Sequence, residues 1–235
     1  NDNKFNDHSL LIYNKNNLIG LLPATVDNMR SLISHPGLSH GSFALRLGLG
    51  LEDILEIISA VQEYVRENRF TGLLINSQPL IYSRQQSSYL DFALLRLGFI
   101  NHCTDLTNYI SIDSPEEMCG RYSDSCQRAI KKAKKSELKF SESNDYTGFY
   151  QILESNIMQR HNVSPTHTIE EMHMLKDLFP AAIKLFTVSY KGTIISGTVA
   201  FRINSSTQLL FYIAHDPTFQ EMRPVNFLIS EVNIW

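Results

Sequence analysis

Three histidines, His161, His167 and His173, fall within thirteen residues, and His215 stands further on. An imidazole can take a proton near neutral pH, so His161, His167 and His215 are candidate general bases. A metal site is the competing reading. It needs convergent ligands, and this spacing crosses a helix end, a Pro-containing loop and a second helix without matching any metal motif. No metal is therefore expected. A second constellation follows the strand Gln208–Ala214. His215-Asp216-Pro217 breaks the strand, and Pro224 then stands where a first helical residue stands, followed by Val225, Phe227, Leu228, Ile229 and Val232 at helical spacing. A strand, a loop and a helix start form an anion site, because free N–H groups and the positive end of the helix dipole point into the loop. Arg223, Val225 and Asn226 are the residues there that would hold a phosphate-bearing cofactor. Glu221 would repel one.

Two weaker groups compete with bland readings. His35 and His40 flank Pro36-Gly37, and a polar loop at a strand mouth suits contact with a substrate. Tyr82 and Arg84 belong to the same class. The bland reading is a surface loop without a ligand. The basic run Arg128, Lys131, Lys132, Lys134 and Lys135 suggests nucleic acid. However, successive lysines spread around a helix and suit a solvated face, and no aromatic residue is interleaved to stack on bases.

The elements that must position these groups are legible. Ile183–Tyr190, Ile194–Ile203 and Gln208–Ala214 read as a meander, with Gly197 in a strand interior. Asp145 can cap a helix over Tyr146–His161, and Thr168 with Glu171 forms a capping box for Ile169–Leu178. Cys126–Ser136 is a basic helix and Leu138–Ser141 a short strand. In the first half, Ser9–Tyr13 and Leu18–Leu22 form a hairpin around an Asn-rich turn, ended by Pro23. Phe43–Leu47 and Gly72–Ile75 are short strands. Leu51–Asn68 is a helix with an apolar stripe from Leu51 to Val65. Ser88–Leu97 is a helix closed by Gly98, and Tyr109–Ile112 is a strand. Leu10–Tyr13 with Leu18–Leu22 echoes Leu185–Val188 with Ile194–Val199. Each hairpin is followed by a third strand and a helix, which suggests two related halves.

Composition narrows the class. An apolar fraction of 43% and a charged fraction of 19% over 235 residues describe an ordinary globular chain, long enough for one large domain or two small ones. A net charge of −3 argues against wholesale nucleic-acid binding. No apolar run reaches the ~18–20 residues of a membrane span, and no signal peptide opens the chain. Cys103, Cys119 and Cys126 follow no disulfide or zinc spacing, which points to a reducing cytoplasm. The sequence starts without Met and stops at Trp235 inside a helix, so it reads as a piece trimmed at both ends.

Several stretches carry a family likeness: Phe5–Leu10, Leu22-Pro23-Ala24 followed by Ser34-His35-Pro36-Gly37, Gln78–Tyr82 before the helix ending Leu97-Gly98-Phe99, Arg128–Ala133, and Arg160–His167. Together they resemble the Fem-like branch of the GNAT (Gcn5-related N-acetyltransferase) superfamily. The resemblance implies an α/β (α+β) fold of two GNAT-like domains, residues 1–117 and 118–235, each a mixed, mainly antiparallel sheet flanked by helices. It implies N-acyl transfer to an amine on a cell-envelope or polysaccharide precursor. The donor would be acetyl-CoA or another acyl-CoA, paired through its pantetheine with the backbone of Phe211, Tyr212 and Ile213. In the alternative it is an aminoacyl-tRNA. A non-catalytic GNAT-like binding module is the remaining reading. It is favoured by Gln220–Asn226, which lacks the glycines of the family's pyrophosphate loop.

Overall fold

The computed structural model describes residues 5–34, 40–84 and 87–235, and the chain divides into two compact units, Asn1–Thr107 and Asn108–Trp235. It is a mixed α/β protein with three sheets and seven α-helices among the described residues.

The first unit contains β1 (Leu10–Asn14), β2 (Asn17–Leu22), β3 (Ala24–Val26), β4 (Ser31–Ser34), β5 (Ala44–Leu45), α1 (Leu51–Glu67), β6 (Gly72–Leu74) and α2 (Tyr89–Arg96). One sheet has the order β1-β2-β5 and is antiparallel. The other has the order β3-β4-β6, with β3 antiparallel and β6 parallel to β4. Pro23 marks the change of sheet, since it has no N–H for a ladder. The expected end of the hairpin is therefore also the start of a strand the sequence does not announce. Asp27 turns β3 into β4 by accepting from the N–H groups of Met29 and Ser31 at 2.9 and 2.7 Å. The apolar stripe of α1 buries Ile54, Ile57, Ile58 and Val61 against Leu22, Phe43 and Ala93. Each such side chain contributes about 1.5–3 kcal/mol on full burial. The strand expected over Phe43–Leu47 shrinks to two residues, because Gly48 turns the chain with φ +85° and leaves Leu47 exposed.

The second unit contains α3 (Pro115–Arg121), α4 (Asp124–Lys134), β7 (Lys139–Ser143), α5 (Tyr146–His161), α6 (Ile169–Leu178), β8 (Ile183–Tyr190), β9 (Thr193–Arg202), β10 (Gln208–His215) and α7 (Pro224–Ile234). Its strands form one antiparallel sheet in the order β10-β9-β8-β7. Helices cover both faces, as strand alternation requires. Ile183 and Leu185 pack with Phe149, Tyr150 and Leu153 of α5, whereas Phe186 and Val188 pack with Ala133 of α4 and Phe227 and Leu228 of α7. The expected caps are present. Asp145 accepts from the N–H of Gly148 at 2.8 Å, and Thr168 and Glu171 exchange bonds at 3.2 and 3.0 Å. Tyr109–Ile112 is not a strand. No neighbour pairs with it among the described residues, and Tyr109 and Ile110 are exposed.

The hairpins of the two units share one geometry. Ile12 pairs with Gly20, Tyr13 with Leu18 and Asn14 with Asn17, as Val188 pairs with Ser196, Ser189 with Ile194 and Tyr190 with Thr193. Both ladders slip at the same point, and both turns hold a left-handed lysine, Lys15 at φ 54° and Lys191 at φ 49°. The third strands match as well. Arg46 donates its N–H to the Ile19 carbonyl at 2.9 Å and Asp216 to that of Ile195 at 2.8 Å. The equivalence differs by one residue from the sequence echo on the first strand. Apolar runs align by composition, whereas a strand's register fixes which face each side chain takes.

Candidate functional site at the start of the last helix

β10 forms one edge of its sheet. The N–H of Asp216 points inward to β9, so alternation turns the backbone polar groups of His215 and Ile213 outward. The carboxamide of buried Asn156, on α5, fills the place of a neighbouring strand at His215. It donates to the His215 carbonyl at 2.7 Å and accepts from the His215 N–H at 3.3 Å. Asp216 then caps a 3₁₀ turn, Pro217–Met222, by accepting from the Thr218 N–H at 2.9 Å. Arg223 ends that turn in the left-handed region, φ 58°, and its carbonyl accepts from Phe227. Pro224 has no N–H to offer. The N–H groups of Val225 and Asn226 precede the first intrahelical bond, and no side chain caps this helix start.

A cavity of about 480 Å³ opens here between α4 and α7. Ser125, Cys126, Arg128 and Lys132 of α4 line it together with Arg223 and Asn226. The Asn226 amide donates to the Cys126 sulfur at 3.7 Å. Glu221 stands beside the rim and bonds to Lys132 at 3.2 Å. That bond and the charges of Lys132 and Arg223 hold the Glu221 carboxyl below the usual carboxylate range. Four of the five basic residues of this run face one way: Ile130 and Ala133 are buried, Arg128, Lys131, Lys132 and Lys135 share the opposite side within a sector of about 100°, and Lys134 turns aside to Glu231 of α7 at 3.4 Å. Arg128 and Lys132 thus join Arg223 and Asn226, two of the residues expected to hold a phosphate, at this site. The signal available was their i, i+4 spacing. It points nowhere until α7 is seen beside α4.

The matching helix start in the first unit is closed. Asp53 accepts from the Gly50 N–H at 2.8 Å, and Glu52 is also in the first turn of α1. The carboxylates occupy the end of the dipole that α7 leaves open.

The remaining candidates fall in separate places. Burial, and secondarily the charge of Arg160, lowers the pKa of His215, with Asp216 opposing, so its neutral form prevails at pH 7. His167 sits in the α5–α6 connection. Its N–H donates to the Tyr212 hydroxyl at 3.1 Å, and its carbonyl accepts from the Tyr150 hydroxyl at 3.3 Å. The His167 ring nitrogen Nδ1 lies 3.3 Å from the same Tyr212 oxygen, and burial raises the Tyr150 pKa. Tyr212 is buried, and Phe211 stacks on Phe201 at 4.8 Å, so both side chains are core. Ile213 is the exposed one of the three. His161 closes α5, and its side chain lies outside the described residues, as does the whole of His35. In the first unit His40 and Tyr82 meet edge-to-face at 5.6 Å, whereas Arg84 is exposed. Among the described residues, no group of three His, Cys, Asp or Glu side chains is placed to hold a metal ion, and no helix is long and apolar enough to cross a membrane.

No protein-family model matches the chain, and no curated protein does. Among solved structures it is similar to FemX, with a TM-score of 0.62 at 12% identity over 97% of this chain and 76% of that one. It is also similar to the C-terminal domain (DUF2156) of a protein from Agrobacterium fabrum named a lysylphosphatidylglycerol synthetase, with a TM-score of 0.56 at 10% identity. That likeness covers 97% of this chain and 66% of the domain. At these identities the likeness is one of fold. The mixed α/β architecture expected from the sequence is the architecture found.

Proposed function

We propose that this chain carries the transferase core of a Fem-type enzyme that moves an aminoacyl group from aminoacyl-tRNA to an amine on a cell-envelope precursor. The observation that carries this reading is the set of Arg128, Lys132 and Arg223 around the uncapped start of α7. Three cations and two free N–H groups suit a phosphate of the donor, and the exposed side of α4 extends the positive charge beyond the cavity. The fold shared with FemX supports the class of reaction, and the second neighbour is named for an aminoacylated lipid. In the step itself the amine nitrogen attacks the ester carbonyl carbon. A C–N bond forms, the C–O bond to the ribose breaks, and the ribose oxygen leaves with a proton while a base takes one from the amine. His215, neutral and half-buried at the end of β10, is the candidate for that base.

An acyl-CoA donor is the second reading. The outward backbone of Ile213 favours it, because an amide-bearing pantetheine can pair there as an added strand. Asn156 limits that pairing, since it already occupies the His215 groups. Titrating the chain with aminoacyl-tRNA and, separately, with acetyl-CoA distinguishes the donors. Salt-sensitive RNA binding that weakens in Arg223→Ala supports the first, and heat with acetyl-CoA alone supports the second. Binding of neither, with no transfer to an amine panel, leaves a non-catalytic module.

A further inference from the structure

The first unit carries a polar pair that its own fold does not use. His40 Nδ1 and Ser42 Oγ are both shut off from solvent, and neither has a hydrogen-bond partner among the described residues. Buried polar atoms are nearly always paired, so two orphans two residues apart require an explanation. Their placement is fixed by the residue between them. Gly41 bridges Asn76, donating its N–H to the Asn76 carbonyl at 2.8 Å. Ser34 locks the bridge by donating to the Gly41 carbonyl at 2.8 Å and accepting from the Asn76 N–H at 3.0 Å. On such a bridged extended segment, residues i and i+2 project to the same side. Ser34 closes β4 and Asn76 follows β6, so the pair stands beyond the carboxyl ends of two parallel strands, a position where open sheets bind ligands. The Tyr82 ring, edge-on to His40 at 5.6 Å, walls one side, and burial raises its pKa. Both orphan-bearing residues are half-buried, which puts the two atoms just beneath the surface.

We infer that His40 and Ser42 form a two-point binding site for a neutral group that both donates and accepts hydrogen bonds, a carboxamide or a pair of hydroxyls. A hydroxyl does both, and an imidazole nitrogen does either according to its tautomer, so the pair matches such a group.

The test follows the histidine ring nitrogens of the whole chain by NMR during titration with N-acetylglucosamine, which carries an amide and hydroxyls. Glucose and N-methylacetamide serve as the hydroxyl-only and amide-only arms. A saturable shift of the His40 nitrogens is expected with at least one probe, weakened at least tenfold in Ser42→Ala. The His8 ring, bonded to the Tyr64 hydroxyl at 2.8 Å, should stay unmoved. Ser42→Cys, close in size, serves if the alanine variant does not fold. No saturable shift with any probe overturns the inference and assigns the orphans to buried water. A shift unchanged in the Ser42 variants overturns the two-point geometry.

Discussion

Asn156 stands in for a strand that would otherwise neighbour His215. Its carboxamide bonds both backbone polar groups at the point where β10 leaves the sheet for the cavity loop. Asn156→Leu strands an N–H and a C=O beside a buried apolar side chain. The expected loss is about 1–3 kcal/mol for each unmet group, read from the denaturation midpoint. Asn156→Asp should also lose stability at neutral pH, because an ionised carboxylate cannot donate to the His215 carbonyl.

The lowered pKa of His215 predicts a pH dependence. Its folded-state value lies below that of the unfolded chain, about 6.5, so the unfolded state takes up the proton first as pH falls. The contribution of this group to stability is complete above pH ~6.5 and is lost as pH falls through the folded-state value. His215→Gln should therefore flatten the fall in melting temperature on going from neutral to mildly acidic pH. An equal fall in the variant and the wild type would count against the burial of that ring.

Gly197 gives a stability test on the face of the sheet that α5 covers. A Cβ there would stand 2.7 Å from a Phe149 ring carbon and 3.0 Å from the Phe186 carbonyl oxygen. Gly197→Ala should cost about 1–3 kcal/mol in thermal or chemical denaturation.

Asp53 caps α1 through the Gly50 N–H and sits at the positive end of the helix. Asp53→Ala should destabilise the first unit by about 1 kcal/mol. Hydrogen exchange localised to the first turn of α1 would report it. Unchanged protection there would contradict the account of why this helix start is closed.

The sequence made the second unit's meander, its capped helices and the Pro224 helix start readable, because each rests on local chemistry: alternation, Asp145, Thr168 with Glu171, and proline's fixed φ. Gly197 was visible as an anomaly in a strand interior, but the ring of Phe149 that demands it is distant in the chain. Tyr109–Ile112 carried strand residues without a partner, and propensity alone does not make a strand. β3 and β4 are not legible, because three or four residues on either side of the Asp27 turn give too short a pattern. The cavity was half legible. Arg223 and Asn226 follow from the helix start, but Arg128 and Lys132 join them only through the packing of α4 beside α7, about ninety residues on. The ties of the His167 backbone to Tyr150 and Tyr212 join residues far apart in the chain, and no local pattern announces them.

The cation cluster at the start of α7 is tested most directly by aminoacyl-tRNA binding across a salt series, with wild type beside an Arg128→Ala, Lys132→Ala, Arg223→Ala triple variant. The account predicts that log K falls linearly with log salt. One phosphate in the cavity and about two more along the exposed Lys131 and Lys135 side of α4, at about −0.7 each, give a slope near −2. The triple variant should bind more weakly and with a markedly shallower slope. Equal affinity and equal slope in the two proteins, or no RNA binding at low salt, would contradict it.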